Sequence, residues 1–153
     1  KKKYHKHIVV HDYFYLKEEY KLKGIHLSHR NPIVPDNYSG HVSASCHTFE
    51  EVIADKKMCD YVFLSPIFDS ISKEGYHAGF TSEQIREAAA KGIIDKRVIA
   101  LGGVDEDNLL QVKDFGFGGA AILGGLWGKF NPASDYNYQE LIAHFRKLKR
   151  LAD

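Results

Sequence analysis

Six short apolar, largely β-branched runs recur along this 153-residue chain, at 7–12, Gly24–Leu27, His41–Cys46, 61–66, 97–101 and 119–123. Each predicts a strand. The segments IVV, YVFL, VIAL and AAIL are apolar at successive positions, as strands of a parallel sheet covered on both faces are. Helical patterns separate them. Thr48 precedes FEEVI with Glu51 three residues on, and Thr81 precedes SEQIREAAAK with Gln84 three residues on and Gly92 past its end; both read as capping boxes. Asp105 opens EDNLLQVKDF, whose Leu109, Val112 and Phe115 share one face before Gly116. A last helix is expected over about 136–151, with Leu141, Ile142, Phe145, Leu148 and Leu151 on one stripe packed against the body. Strands alternating with helices make an α/β domain with a parallel sheet. The glycine pairs Gly102-Gly103 and Gly124-Gly125 fall where strands end. That placement favours a (β/α)8 TIM barrel over a doubly wound sheet, because such barrels bind phosphate after their last two strands. With six strands of eight, the chain is read as one barrel domain over 1–153 lacking its first two βα units. The strands at 7–12 and 119–123 would then be open edges, covered by another segment or by a homodimer contact.

Composition narrows the class further. Apolar residues make up 44% and charged ones 27%, with 21 basic against 20 acidic side chains, which excludes a disordered chain or a coiled coil. A net charge of +1 gives no field for nucleic acid and no polybasic membrane anchor. The longest uncharged stretch, 115–128, is rich in glycine and falls short of the roughly 20 residues of a membrane span. Cys46 and Cys59 form no CxxC, which suits a cytoplasmic protein without a structural zinc. The opening KKKYHKH, with the single methionine at position 58, reads neither as a translation start nor as a signal peptide, so the chain is expected to lack its natural beginning. Lys1 to Lys3 read as a solvated end, and Tyr13, Phe14 and Tyr15 as packing on a helix face.

Several strand ends carry chemistry. After the run at 61–66, Ser70, Ser72 and Lys73 either hold a phosphate or pyrophosphate or form an ordinary solvated loop. Gly102 and Gly103, and one strand later the segment ending in Leu123, Gly124 and Gly125, can present main-chain N–H groups to an anion. On this reading a side chain at Gly103 blocks the anion while barely touching the core. Ser45-Cys46-His47-Thr48 ends the third run, and His47 there can take and return a proton near neutral pH. Cys46 reads as a small core residue. His11-Asp12 ends the first run: His11 is the second acid/base candidate, and Asp12 is a possible but weak metal ligand that wants a neighbouring acid. The place for that acid, Ser28-His29-Arg30-Asn31, holds Arg30, which cannot bind a cation. His26 is expected to alternate to the side away from this chemistry.

Together the segments IVVHD, GIHL, SASCHT, DYVFLSPIFDSISK, ALGGV with DNL, and FGFGGAAILG, in that order, resemble the thiamine phosphate synthase and TenI (thiazole tautomerase) family of (β/α)8 barrels. The resemblance implies that Ser45, Ser70, Ser72 and Lys73 match pyrophosphate and substrate contacts, and that Gly103, Leu123 and Gly124 form a main-chain phosphate cradle. The family's Asn-Asp after its third strand is His11-Asp12 here, and its next magnesium acid falls at Arg30 or Asn31. The glutamine, arginine and lysine that end its second strand fall outside this chain. In the TenI branch, a histidine in an S-x-H-[ST] segment moves a proton on the thiazole phosphate without magnesium, and Ser45 to Thr48 fits that segment. The expectation is therefore a thiazole tautomerase acting on a small phosphorylated substrate with no cofactor. A divergent thiamine phosphate synthase using Mg²⁺ and a non-catalytic phosphate-binding regulator are the alternatives.

Overall fold

The computed structural model describes residues 1–69, 78–128, 130–131 and 138–153. The chain divides into two compact units, Lys1–Phe63 and Leu64–Asp153.

In the first unit a 3-10 turn (Lys2–His7) with no buried residue precedes β1 (Val9–Val10), α1 (Tyr15–Tyr20), β2 (Gly24–Leu27), β3 (His41–Cys46), α2 (Phe49–Asp55) and β4 (Tyr61–Leu64), which leads into the second unit. β1 pairs with β2 and β2 with β3, all parallel, in a register that sets His26 opposite Ser43 and Leu27 opposite Ala44. All four residues of β2 are buried. The apolar core gathers Ile25, Leu27, Val42, Ala44, Cys46 and Val52, with α2 packed against β3. The capping box at Thr48 forms as the sequence requires: Glu51 donates its main-chain N–H to Thr48 Oγ1, and its carboxylate accepts from the Thr48 N–H. The sequence sets no bounds for α1, because its LKEEY core has no aliphatic stripe and no side chain caps its start. Tyr13 and Tyr15 are 71% and 65% exposed, so they do not pack against the protein as expected.

The second unit holds α3 (Ser82–Ala90), β5 (Val98–Leu101), α4 (Leu109–Asp114), β6 (Gly119–Ala121), α5 (Gly124–Trp127) and α6 (Gln139–Ala152). β5 and β6 are parallel, with Ala100 opposite Ala120. Thr81 and Gln84 form the second capping box. α4 begins later than the sequence suggested, because the Asp105 carboxylate accepts from the N–H groups of Asp107 and Asn108 and holds an Asx turn ahead of the helix. α6 packs on α4 and α5 with Leu148 buried, but Ile142 and Phe145 of its stripe stay exposed. Phe145 and Leu148 line a mostly apolar cavity with Leu109, Ala120, Ile122 and Leu126.

Both units thus carry parallel strands alternating with helices, an α/β fold. β1 and β6 are shorter than the runs at 7–12 and 119–123 predict. No helix among the described residues is long and apolar enough to cross a membrane.

If the capping box holds the start of α2, Thr48→Ala should lower unfolding stability by about 1 kcal/mol with an unchanged denaturant slope. Urea titration of the full-length protein measures this.

Candidate functional site

In the first unit the chemistry gathers on one face of the parallel strands, where they end. Side chains alternate along a strand, so the register places His26, Ser43 and Ser45 on the same face and Ile25, Val42 and Ala44 on the other. His26 is 2% exposed and stands between two hydroxyls, with Nδ1 2.9 Å from Ser43 Oγ and Nε2 2.8 Å from Ser45 Oγ. The ring of exposed His11 lies over it at 4.3 Å between centroids, and Phe63 approaches at 5.5 Å. The expectation that His26 points away from Ser45 is therefore corrected. Reading alternation against Leu27 identified the buried apolar face, but His26 occupies the face that Ser45 and His11 share. Burial, reinforced by His11, pushes the His26 pKa down to about 4, so the ring is neutral near pH 7.

Asp12, just past β1, is held by the turn that follows β2. Ser28 and Asn31 exchange main-chain hydrogen bonds, and Asn31 Nδ2 donates to Asp12 Oδ1 at 2.5 Å and to the His11 carbonyl at 3.3 Å. The Arg30 guanidinium sits 3.3 Å from Asp12 Oδ2. A carboxylate facing an amide N–H and a cation is a poor start for a divalent-ion site. No group of three His, Cys, Asp or Glu side chains suited to a metal occurs among the described residues.

His47 is exposed at the turn from β3 to α2. Its ring lies parallel to that of His29, with centroids 5.6 Å apart and planes 8° apart, and its main-chain N–H donates to Glu51 Oε2. Ser28, His29, Ser45, Glu51 and Asp55 border a small cleft there. His29 was not singled out from sequence; its one signal was a histidine just past a strand end, as at His47. Cys46 is buried, and burial with the nearby Asp55 carboxylate drives its thiol pKa well up, which suits a core residue and not a nucleophile.

In the second unit the glycine turns are shaped by close backbone approach. Gly102 and Gly103 have φ of +90° and +66°. The chain leaving β4 lies on them, with Ile67 N–H donating to the Leu101 carbonyl and Phe68 N–H to the Gly102 carbonyl. A Cβ at Gly103 would stand 2.4 Å from the Asp69 carbonyl oxygen and 2.6 Å from that of Phe68. A side chain there would collide with this segment, so the expectation that it barely touches the core is corrected. Asn108 Nδ2 holds the Gly103 carbonyl at 2.8 Å. Leu123, 68% exposed, and Gly124 open α5, whose first N–H groups have no carbonyl partner within the helix. His144 Nε2 lies 2.8 Å from the Gly125 carbonyl oxygen. Ser70, Ser72 and Lys73 lie outside the described residues. Of the candidates, His11, Asp12 and Ser45 are gathered around His26 and Asn31, His47 is paired with His29, and Gly102, Gly103, Leu123 and Gly124 occupy the two turns.

A family model described as thiamine monophosphate synthase matches residues 1–126. The chain belongs to this family. The thiamine-phosphate synthase of Actinobacillus succinogenes is 31% identical over 107 residues, 65% of this chain and 48% of that protein. That of Limosilactobacillus reuteri is 23% identical over 151 residues, 94% of this chain and 65% of that protein. The chain thus spans between about half and two thirds of the length of these relatives. Among solved structures, a thiamine phosphate pyrophosphorylase from Bacteroides thetaiotaomicron is 55% identical, with a TM-score of 0.86 over 99% of this chain and 72% of that one. A Pyrococcus furiosus thiamine phosphate pyrophosphorylase, 19% identical with a TM-score of 0.69, shares the fold. As a family member the chain is related to enzymes of thiamine biosynthesis.

Two outcomes follow from this geometry. The unfolded chain binds a proton at a histidine near its usual 6.5, whereas folded His26 does so only near 4. Its contribution to stability is therefore complete above about pH 6.5 and is lost as pH falls toward 4. Unfolding titrations of wild type and His26→Gln across that window should show a shallower loss in the variant. Secondly, Gly103→Ala should cost about 1–3 kcal/mol or more. Gly92→Ala is the control for positive φ alone, since Gly92 has φ +70° and open space around it, and it should cost about 1 kcal/mol. Thermal unfolding compares the two.

Proposed function

We propose that the protein acts on a thiazole phosphate in thiamine biosynthesis and isomerises it to the aromatic form. His47 takes a proton from a ring carbon and returns one to a different ring position, and His11 is the other candidate for this role. The observation that carries the reading is the engagement of Asp12 by Asn31 and Arg30. Where the family resemblance puts a second magnesium acid, this chain has a guanidinium paired to the first. These residues do not fit Mg²⁺, so the proposed reaction runs without a metal, as proton transfer between carbon and imidazole does. In this reading the main-chain N–H groups of Gly103, Leu123 and Gly124 bind the phosphate, and Ser45, Ser70, Ser72 and Lys73 make the remaining polar contacts. The complete (β/α)8 barrel and a cytoplasmic location belong to the same proposal.

A second reading, thiamine phosphate synthesis from a hydroxymethylpyrimidine diphosphate and a thiazole phosphate, is favoured by the names of the relatives. They are thiamine-phosphate synthases and thiamine phosphate pyrophosphorylases.

A general acid/base contributes about 10²- to 10⁴-fold in rate. His47→Asn in the full-length protein should lower kcat for tautomer conversion within that range and leave KM nearly unchanged. Full turnover in His47→Asn with loss in His11→Asn would transfer the role to His11. Loss in neither variant would reject histidine-driven tautomerisation.

A further inference from the structure

His26 is a buried titratable group that the proposed reaction does not use. A neutral imidazole offers one N–H donor and one lone-pair acceptor, so of its two serine partners one must donate its hydroxyl proton and the other must accept. Burial decides the direction. Ser43 is 0% exposed, and its hydroxyl has His26 Nδ1 as its partner among the described residues. If Nδ1 carried the proton, the Ser43 O–H would be a buried donor with nowhere to point, and orphaned buried donors are rarer than under-used acceptors. With the Ser43 O–H donating to Nδ1, the ring proton sits on Nε2 and is given to Ser45 Oγ. Ser45 lies only partly buried at the end of β3. Its oxygen is then occupied by the Nε2–H, and its own O–H turns outward.

We propose that His26 is a positioning residue held as its Nε2–H tautomer by Ser43, and that it makes Ser45 a hydrogen-bond donor to an anionic oxygen of the phosphorylated substrate. The chain Ser43 to His26 to Ser45 has one polarity along its length. His11 packs against the ring with 4.3 Å between centroids. The inference rests on the function proposed above for the identity of what Ser45 touches; the tautomer does not depend on that reading.

The test uses full-length protein with ¹⁵N-labelled histidine. Long-range ¹H–¹⁵N correlation near neutral pH should show His26 Nδ1 as a pyridine-type nitrogen and Nε2 as a pyrrole-type one, the signals being assigned by their loss in His26→Gln. A pyrrole-type Nδ1, or two protonated nitrogens, overturns the inference. Calorimetric titration with inorganic phosphate reads the consequence. Ser45→Ala and His26→Leu should each weaken binding about tenfold, the worth of one charge-assisted hydrogen bond. His26→Gln, which can accept from one serine and donate to the other, should restore most of it. Wild-type affinity in both Ser45→Ala and His26→Leu overturns the donor role. Wild-type protein that binds no phosphate overturns the anionic partner and the phosphate-ester reading together, while the nitrogen signals still decide the tautomer.

Discussion

A histidine 2% exposed within a four-residue parallel strand calls for partners at both ring nitrogens, because a buried polar group left unpaired costs about 1–3 kcal/mol. The first unit is arranged around that requirement. Serines at alternate positions of β3 meet the two nitrogens of His26. A slip of one residue would offer Val42 and Ala44 instead, so the same contacts that satisfy the ring also lock the register. The ring in turn supports His11, whose carbonyl and neighbouring Asp12 are held by Asn31.

The second unit solves a different problem, the close passage of one strand-end loop over another. The segment leaving β4 hydrogen-bonds along Leu101 and Gly102, leaving no room for a Cβ at Gly103. The turn that opens α5 meets a similar limit: a Cβ at Gly125 would lie 2.9 Å from the Val104 carbonyl oxygen. Glycine at these turns therefore has a packing cause. Anion binding, where it occurs, uses a backbone that packing has already brought to the surface without side chains. This also explains why a bulky residue at Gly103 is a poor probe of ligand binding.

Much of this was legible before the structure. β2 and β3 have the expected bounds, and both capping boxes form, because apolar runs and S/T-x-x-E/Q signatures are local and α2 and α3 obey them. The placement of His26 was not legible. Strand alternation fixes which residues share a face but not which face is which, and a polar histidine beside buried leucine suggested the wrong one. The Asp12, Asn31 and Arg30 cluster was half legible: sequence showed that a cation occupies an acid's position but not that it reaches back to Asp12. The pairing of His29 with His47 depends on a turn geometry that carries no sequence signature.

Whether chemistry at this site needs a divalent ion separates the two proposed reactions. In the proposed tautomerase reading the Asp12 carboxylate, already facing Asn31 and Arg30, is a poor metal ligand and a histidine moves the proton. The most direct measurement assays the full-length protein in EDTA and again with added Mg²⁺. Thiazole phosphate alone is the substrate in one arm, and hydroxymethylpyrimidine diphosphate is added in the other. On the proposed tautomerase reading, tautomer conversion proceeds at the same rate with or without the metal and no pyrophosphate is released. Magnesium-dependent pyrophosphate release, with no conversion of the thiazole phosphate in EDTA, would contradict it.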